Sequence, residues 1–273
     1  MADIPMDKAV ILARGLGTRM RKQDDTAVLS EAQSTVARTG IKAMIPIEWP
    51  FLDYVLHNLA EAGYRRICLV VGPEHEEVRN YYQNVPCERI TIEFAIQVEP
   101  RGTADAVAAA EAFAGDDPFL VINSDNYYPL EAMRGLRDLA GSGLAVFTRE
   151  SMFAGGNIPA ERLTKFAVVE LDSEQVMGRI IEKPSEEILA ALPEPICVSM
   201  NCWRFNRCIF EACREISPSP RGELEITDAV QYTIDVLGQP YTALIIHAAV
   251  LDLSSRTDIA GVVERLRGLR VDL

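Results

Sequence analysis

Short apolar runs alternate along this chain with stretches in which apolar residues recur every three or four positions. The runs at 9–12, 66–71, 91–97, 119–123 and 144–148 read as strands. The segments 50–62, 103–114 and 129–139, and the one from the turn Gly72-Pro73 through Tyr82, carry helical spacing. In 50–62 the inner face is Leu52, Val55, Leu56 and Leu59; Pro50 suits a first helical position and Gly63 a stop. Regular alternation of strand and helix predicts a parallel sheet covered on both faces, so residues 1–149 read as an α/β half.

Beyond Arg149 the rhythm changes. Residues 165–171 and 176–182 pair as strands around Asp172-Ser173, followed by a helix at 185–192, a strand at 196–205 and helices at 209–215 and 226–237. A strand at 241–247 and a helix at 257–267 complete the pattern. There is no repeat or low-complexity linker, so residues 1–273 are expected to form one domain, with 150–273 adding a substrate-facing layer. The polar segment 21–40, with a short helix near 30–37, is expected to be a lid or a tip.

Composition narrows the function. A net charge of −13 opposes non-specific binding to nucleic acid or anionic membranes. A phosphate-bearing substrate therefore needs local cations or a metal. The cysteines, at 68, 87, 197, 202, 208 and 213, form no CxxC pair and mostly lie in apolar runs, which predicts free thiols in a reducing cytosol. No apolar run approaches the roughly 20 residues of a membrane span. The opening MADIPMDKAV has acids and a proline where a signal peptide has basic and apolar residues, so a cytoplasmic location is expected.

The first strand empties into the loop of AVILARGLGTRM. Gly15 and Gly17 let main-chain N–H groups approach an anion, a helix starting after them would aim its positive end there, and Arg19 adds a forked cation. The loop lacks a Gly-Lys-Ser/Thr ending, and the third glycine of GxGxxG would fall at Met20. In an open parallel sheet ligands bind beyond the carboxyl ends of the strands, and there lie Gly15 to Arg19, Gln97 to Thr103 and Asp125.

The ordered set LARGLGTRM, Lys42, QVEPRGTADA, VINSDN, IIEKP and GELEITDA resembles the sugar-1-phosphate nucleotidylyltransferases, particularly glucose-1-phosphate thymidylyltransferase and its uridylyl relatives. The resemblance implies a Rossmann-like fold with a mixed, mainly parallel sheet flanked by helices and a sugar-binding, β-rich insertion in the second half. It implies Mg²⁺-dependent transfer from UTP or dTTP to a sugar 1-phosphate. Such a transfer needs charge neutralisation and in-line positioning more than a protein nucleophile.

On this resemblance Arg19 and Lys42 hold the triphosphate, and Asp125 and Asp228 hold Mg²⁺. Leu12, Gly15, Gly17, Thr18, Gln97, Pro100, Gly102 and Thr103 surround the nucleotide. Gln97, with a donor and an acceptor on one amide, is expected to read the imide edge of uracil or thymine with two hydrogen bonds. Glu182 binds sugar hydroxyls and Lys183 the sugar phosphate; Glu223 and Glu225 are acidic neighbours of the metal. A homo-oligomer is a family expectation.

The chain departs from the family at several points. Arg14 stands where Ala or Gly is usual, either holding the triphosphate or pointing outward, and Ile41 replaces a proline before Lys42. Phe166-Ala167 replaces Tyr-Gly, and Ser199-Met200-Asn201 replaces Asn-x-Gly, so glucose 1-phosphate does not follow. A non-sugar phosphate acceptor, or a sensor that has lost the chemistry, are the alternatives; retention of Arg19, Asp125, Lys183 and Asp228 together argues against the sensor.

Overall fold

The computed structural model describes residues 6–273. The reading of the N-terminal segment falls largely on residues 1–5 and lies outside them. Four strands, β1 (Lys8–Leu12), β2 (Arg66–Val71), β3 (Thr91–Ile96) and β4 (Phe119–Asn123), run in the same direction, with β1 between β2 and β4 and β3 outside β2. Alternate residues of β1 face opposite sides, as pleating requires: Ala9 and Ile11 join one apolar core and Val10 the other. All three are fully buried, at about 1.5–3 kcal/mol for each large apolar side chain, which is why β1 is a continuous apolar run.

Main-chain bonds continue past the strand ends. Ala13 N donates to Val70 O, Gln97 N to Val71 O and Ser124 N to Leu12 O, so the three loops leave the sheet from fixed positions on one edge.

The remaining strands are β5 (Asn126–Tyr127), β6 (Ser142–Thr148), β7 (Ala167–Leu171), β8 (Met177–Ile181), β9 (Cys197–Phe205), β10 (Tyr241–Ile246) and β11 (Leu251–Asp252). The main sheet has the order β10-β6-β9-β4-β1-β2-β3, with the β7–β8 hairpin attached through β7 to β9. β9 is antiparallel to β4 and β6, while β10 is parallel to β6. The sheet is thus mixed and mainly parallel, and the hairpin is what returns the chain in the opposite sense for β9. Trp203 stacks on Phe205 and Phe119 on Phe210, with centroids 5.6 and 5.3 Å apart, sealing one face.

The first five helices are α1 (Thr18–Arg21), α2 (Glu31–Thr39), α3 (Phe51–Ala62), α4 (Glu76–Asn84) and α5 (Thr103–Ala109). Two depart from the sequence reading. Pro50 is the extended residue before α3 rather than its first turn. The helix expected over 103–114 breaks at Ala110, whose N–H bonds three residues back to Val107 O and so tightens the turn. The short helix expected near 30–37 is α2, closed by a capping box between Ser30 and Gln33 and tied by Gln33 Nε2 to Pro46 O at 3.0 Å.

All six cysteines are free, and burial pushes the Cys68 and Cys213 thiols up to about 12, far from a nucleophilic state. Among the described residues no helix is long and apolar enough to cross a membrane.

Candidate active site

A cavity of about 510 Å³ opens at the carboxyl edge of β1, β3 and β4. Leu12, Gly15, Gly17, Thr18 and Arg19 supply one wall, Lys42 a second, Gln97, Pro100, Gly102 and Thr103 a third, and Asp125 the floor beyond β4. Glu223 and Asn201 also reach it, whereas Glu182, Lys183 and Asp228 do not line it.

Gly17 has φ +60, and a Cβ there would sit 2.0 Å from Gly40 O. The glycine loop therefore packs backbone against backbone on the residue that ends α2, and Lys42 N donates to Gly40 O at 3.0 Å. This contact delivers Lys42 to Asp125: Nζ lies 2.6 Å from Oδ2, in a pair about four-fifths buried. The helix expected to aim its positive end at an anion is the single turn α1, too short to sum a useful dipole. Arg19 lines the cavity, is exposed and forms no ion pair among the described residues.

Gln97 is nearly buried, and its Nε2 donates to Gly102 O at 3.0 Å and Asp105 Oδ2 at 2.8 Å. Both amide hydrogens are committed inside the protein. The expected donor-and-acceptor reading of a base is corrected to a single acceptor, Oε1. Gly102, at φ +131, would drive a Cβ to 2.4 Å from Leu224 O. Around it Leu224 N donates to Arg101 O, Ala104 N to Leu224 O and Ile226 N to Thr103 Oγ1. The PRGT and GELEIT motifs are therefore one stitched unit.

The remaining candidates gather beside the cavity. Glu225 is buried and accepts from Arg221 Nη2 at 2.6 Å, and Glu182 Oε1 lies 3.6 Å from Arg221 Nη2 and 3.9 Å from Lys183 Nζ. Burial, then the Glu225 charge, push the Glu182 carboxyl up, with Lys183 and Arg221 opposing. Asp228, in the first turn of the helix Ile226–Asp235, is raised by burial and by Glu225, against Arg221. Asp125 instead neighbours Lys42 and Asp252, the latter held by Arg162 and raised by burial and the Asp125 charge.

A folded-state carboxyl raised in this way adds stability that is full below its unfolded value and is lost as pH rises through the native one. Glu182→Gln is accordingly expected to match the wild-type Tm in acid and exceed it near pH 7, a gap read by thermal melts across pH.

Among the described residues no group of three or more His, Cys, Asp or Glu side chains forms a metal cage. The donor set still fits Mg²⁺, which binds through one or two carboxylates plus substrate phosphates. Asp125 is such a hard oxygen donor at the cavity, and its carboxylate pairs with the Lys42 ammonium.

Three contributors were missed or left open by the sequence reading. Asp105, in the first turn of α5, fixes Gln97; Arg221, just before GELEIT, neutralises Glu182 and Glu225. Arg14 turns inward, its side chain 6% exposed, with Nη2 bonded to Val98 O and Glu74. Asn201, where a glycine was expected, has φ +56, a left-handed conformation that Asn tolerates better than most residues.

The strand ends of this α/β fold gather a glycine loop, Arg14, Arg19, Lys42, Asp125, Glu223 and the buried amide of Gln97 around one cavity. The chain belongs to the nucleotidyl transferase family, whose sequence profile matches residues 8–247. It is 30% identical over 260 residues to the glucose-1-phosphate thymidylyltransferase of Streptomyces griseus, covering 93% of this chain and 64% of that protein. It is 29% identical to the low-salt glycan biosynthesis nucleotidyltransferase Agl11 of Haloferax volcanii, covering 84% of this chain and 57% of that one. The chain thus spans about three fifths of the length of these relatives. A structure of UDP-glucose pyrophosphorylase complexed with UDP-glucose superposes with a TM-score of 0.75, covering 97% of this chain and 100% of that one at 20% identity, which shows the shared fold.

Proposed function

We propose that this protein joins a nucleotidyl group from UTP or dTTP to a sugar 1-phosphate and releases pyrophosphate. The observation that carries the reading is the Lys42–Asp125 contact in the same cavity as the Gly15–Gly17 loop, Arg19 and Gln97. A phosphate oxygen of the acceptor attacks the α-phosphorus, the bond to the β-phosphate oxygen breaks, and pyrophosphate leaves with the electron pair. Arg19 and Lys42 hold the triphosphate and oppose the charge that develops. Asp125 and Asp228 hold Mg²⁺ in this reading, and the ion, when bound, neutralises charge at the α-phosphate. Gln97 Oε1 accepts from the base, and Glu182 and Lys183 take the sugar hydroxyls and phosphate.

Residues 1–273 act in this reading as one domain, working in the cytoplasm as a homo-oligomer. The relatives named thymidylyltransferase and UDP-glucose pyrophosphorylase support thymidine or uridine nucleotides. A second reading keeps the donor and changes the acceptor to a non-sugar phosphate. It draws on Asn201, which puts a side chain into the cavity wall where a glycine was expected.

Pyrophosphate release with Mg²⁺, each common nucleoside triphosphate and a panel of sugar 1-phosphates and phospho-alcohols tests both. Turnover with UTP or dTTP and a sugar 1-phosphate is the expected result. Turnover with phospho-alcohols alone moves the assignment to the second reading. Silence with nucleotide still bound overturns both and leaves a sensor.

A further inference from the structure

One short segment ties two sides of the cavity together, and none of the sequence motifs reaches it. Strand β11 pairs antiparallel with β5, the strand that follows Asp125, and Leu253 N donates to Asp125 O at 2.8 Å. Three residues on, Arg256 turns back into the protein and is 8% exposed. Its Nε donates to Met20 O at 2.9 Å, and its Nη2 lies 3.5 Å from Arg21 O. Those two carbonyls end α1, the single turn that carries Arg19.

A helix of one turn does little to hold itself. Arg21 N bonds to Gly17 O and Lys22 N to Thr18 O, but the Met20 and Arg21 carbonyls accept no main-chain hydrogen bond among the described residues. The Arg256 guanidinium takes their place in the ladder, as basic side chains do at helix C-termini. Arg256 in turn stands on a frame with little freedom. Ser254 N and Ser255 N donate to Asp258 Oδ2 at 3.0 and 2.7 Å, and Arg162 bridges Asp258 and Asp252. Asp252 also accepts from Asn126 Nδ2 at 2.9 Å, and Asn126 is the neighbour of Asp125. The place of α1 is therefore referred to Asp125 through this segment. Arg19, exposed and without an ion pair among the described residues, takes its aim from the backbone beneath it.

We propose that Arg256 is a positioning residue, which holds the end of α1 so that Arg19 meets the triphosphate in register with Asp125. Arg256 does not line the cavity, and it acts through two main-chain carbonyls. This rests on the nucleotidyl-transfer reading of the cavity, and the experiment separates the two.

Calorimetric Kd for UTP and dTTP, and kcat/KM for pyrophosphate release, are measured for the wild type, Arg256→Gln, Arg256→Lys, Arg19→Ala and the two double variants, each checked by thermal melt. Arg256→Gln is expected to weaken nucleotide binding about 10-fold and to lower kcat/KM about 10²-fold, the cost of displacing a positioned group by about 1 Å. Arg256→Lys keeps the charge without the fork, so it should recover about tenfold of that kcat/KM, and it carries the test should the glutamine variant fail to fold. In the Arg19→Ala background either substitution should change Kd and kcat/KM by less than about threefold, because the group being aimed is already gone. Wild-type binding and kinetics in a folded Arg256 variant overturn the proposal. So does the full loss recurring on top of Arg19→Ala, which would make Arg256 a structural residue that does not act through Arg19. The Kd comparison needs no acceptor, so it decides the role of Arg256 even if the sugar 1-phosphate assignment fails. A wild type that binds neither UTP nor dTTP sinks the nucleotidyl-transfer reading, and the proposal with it.

Discussion

Asp125→Asn is expected to lower kcat for pyrophosphate release by about 10²- to 10³-fold, the range seen when one preorganised electrostatic group is removed from a reacting centre. The carboxylate has two tasks in the cavity. It holds Lys42 Nζ at 2.6 Å and so fixes where that ammonium points, and in the proposed reaction it is a hard oxygen donor for the divalent cation. Asparagine fits the same space and can still accept from Lys42, but it carries no charge. Fold and Tm should therefore change little while turnover collapses. The concentration of Mg²⁺ giving half-maximal rate should rise in the variant, a shift that a purely structural role would not produce. Lys42→Ala should cost a similar factor, and the double variant less than the product of the two, because one contact is being broken twice. Turnover of Asp125→Asn within threefold of wild type would remove Asp125 from the chemistry.

Much of the fold was legible because its strands are buried on both faces. A run such as RICLVV has no polar face to confuse its period, and the helices between runs carry caps and stops that local chemistry explains, such as Gly63 at φ +98 after α3. β9 was located by its apolar residues, but its antiparallel direction was not legible, since direction depends on the β7–β8 hairpin and leaves no trace in β9 itself. Within the site, the glycine loop, Gln97 and Asp125 stood out because their neighbours in sequence made ordered motifs, whereas Lys42 stood alone after an Ile41 where a proline was expected. The two-way reading of Gln97 overreached, because it took the side chain in isolation; Asp105 and the Gly102 carbonyl spend the amide hydrogens, and only three-dimensional contact reveals that. Arg14 was open for the same reason. A guanidinium has reach enough to turn either way, and what pulls it inward is Val98 O, a main-chain atom that no side-chain pattern encodes.

Gly17→Ala is the substitution expected to damage the site most without touching a charged group. An L-residue held at φ +60 costs about 1–2 kcal/mol by itself. The larger cost is steric, since the new methyl would meet Gly40 O at 2.0 Å and Gly40 Cα at 2.6 Å, and backbone on both sides leaves no flexible end to give way. Relief requires the loop and the end of α2 to separate, and Lys42, bonded through its N–H to Gly40 O, moves with them. A displacement near 1 Å of a positioned group costs about 10²-fold in rate. Gly17→Ala should therefore lose about 10²-fold or more in kcat/KM and melt about 5–10 °C lower. Gly15 provides the comparison within the same loop: a Cβ there meets nothing within 4 Å, so Gly15→Ala should keep the wild-type Tm. Loss of nucleotide affinity in Gly15→Ala at unchanged Tm would mean that phosphate approaches that backbone closely. Wild-type kcat/KM in Gly17→Ala would mean that the glycine contact does not set the position of Lys42.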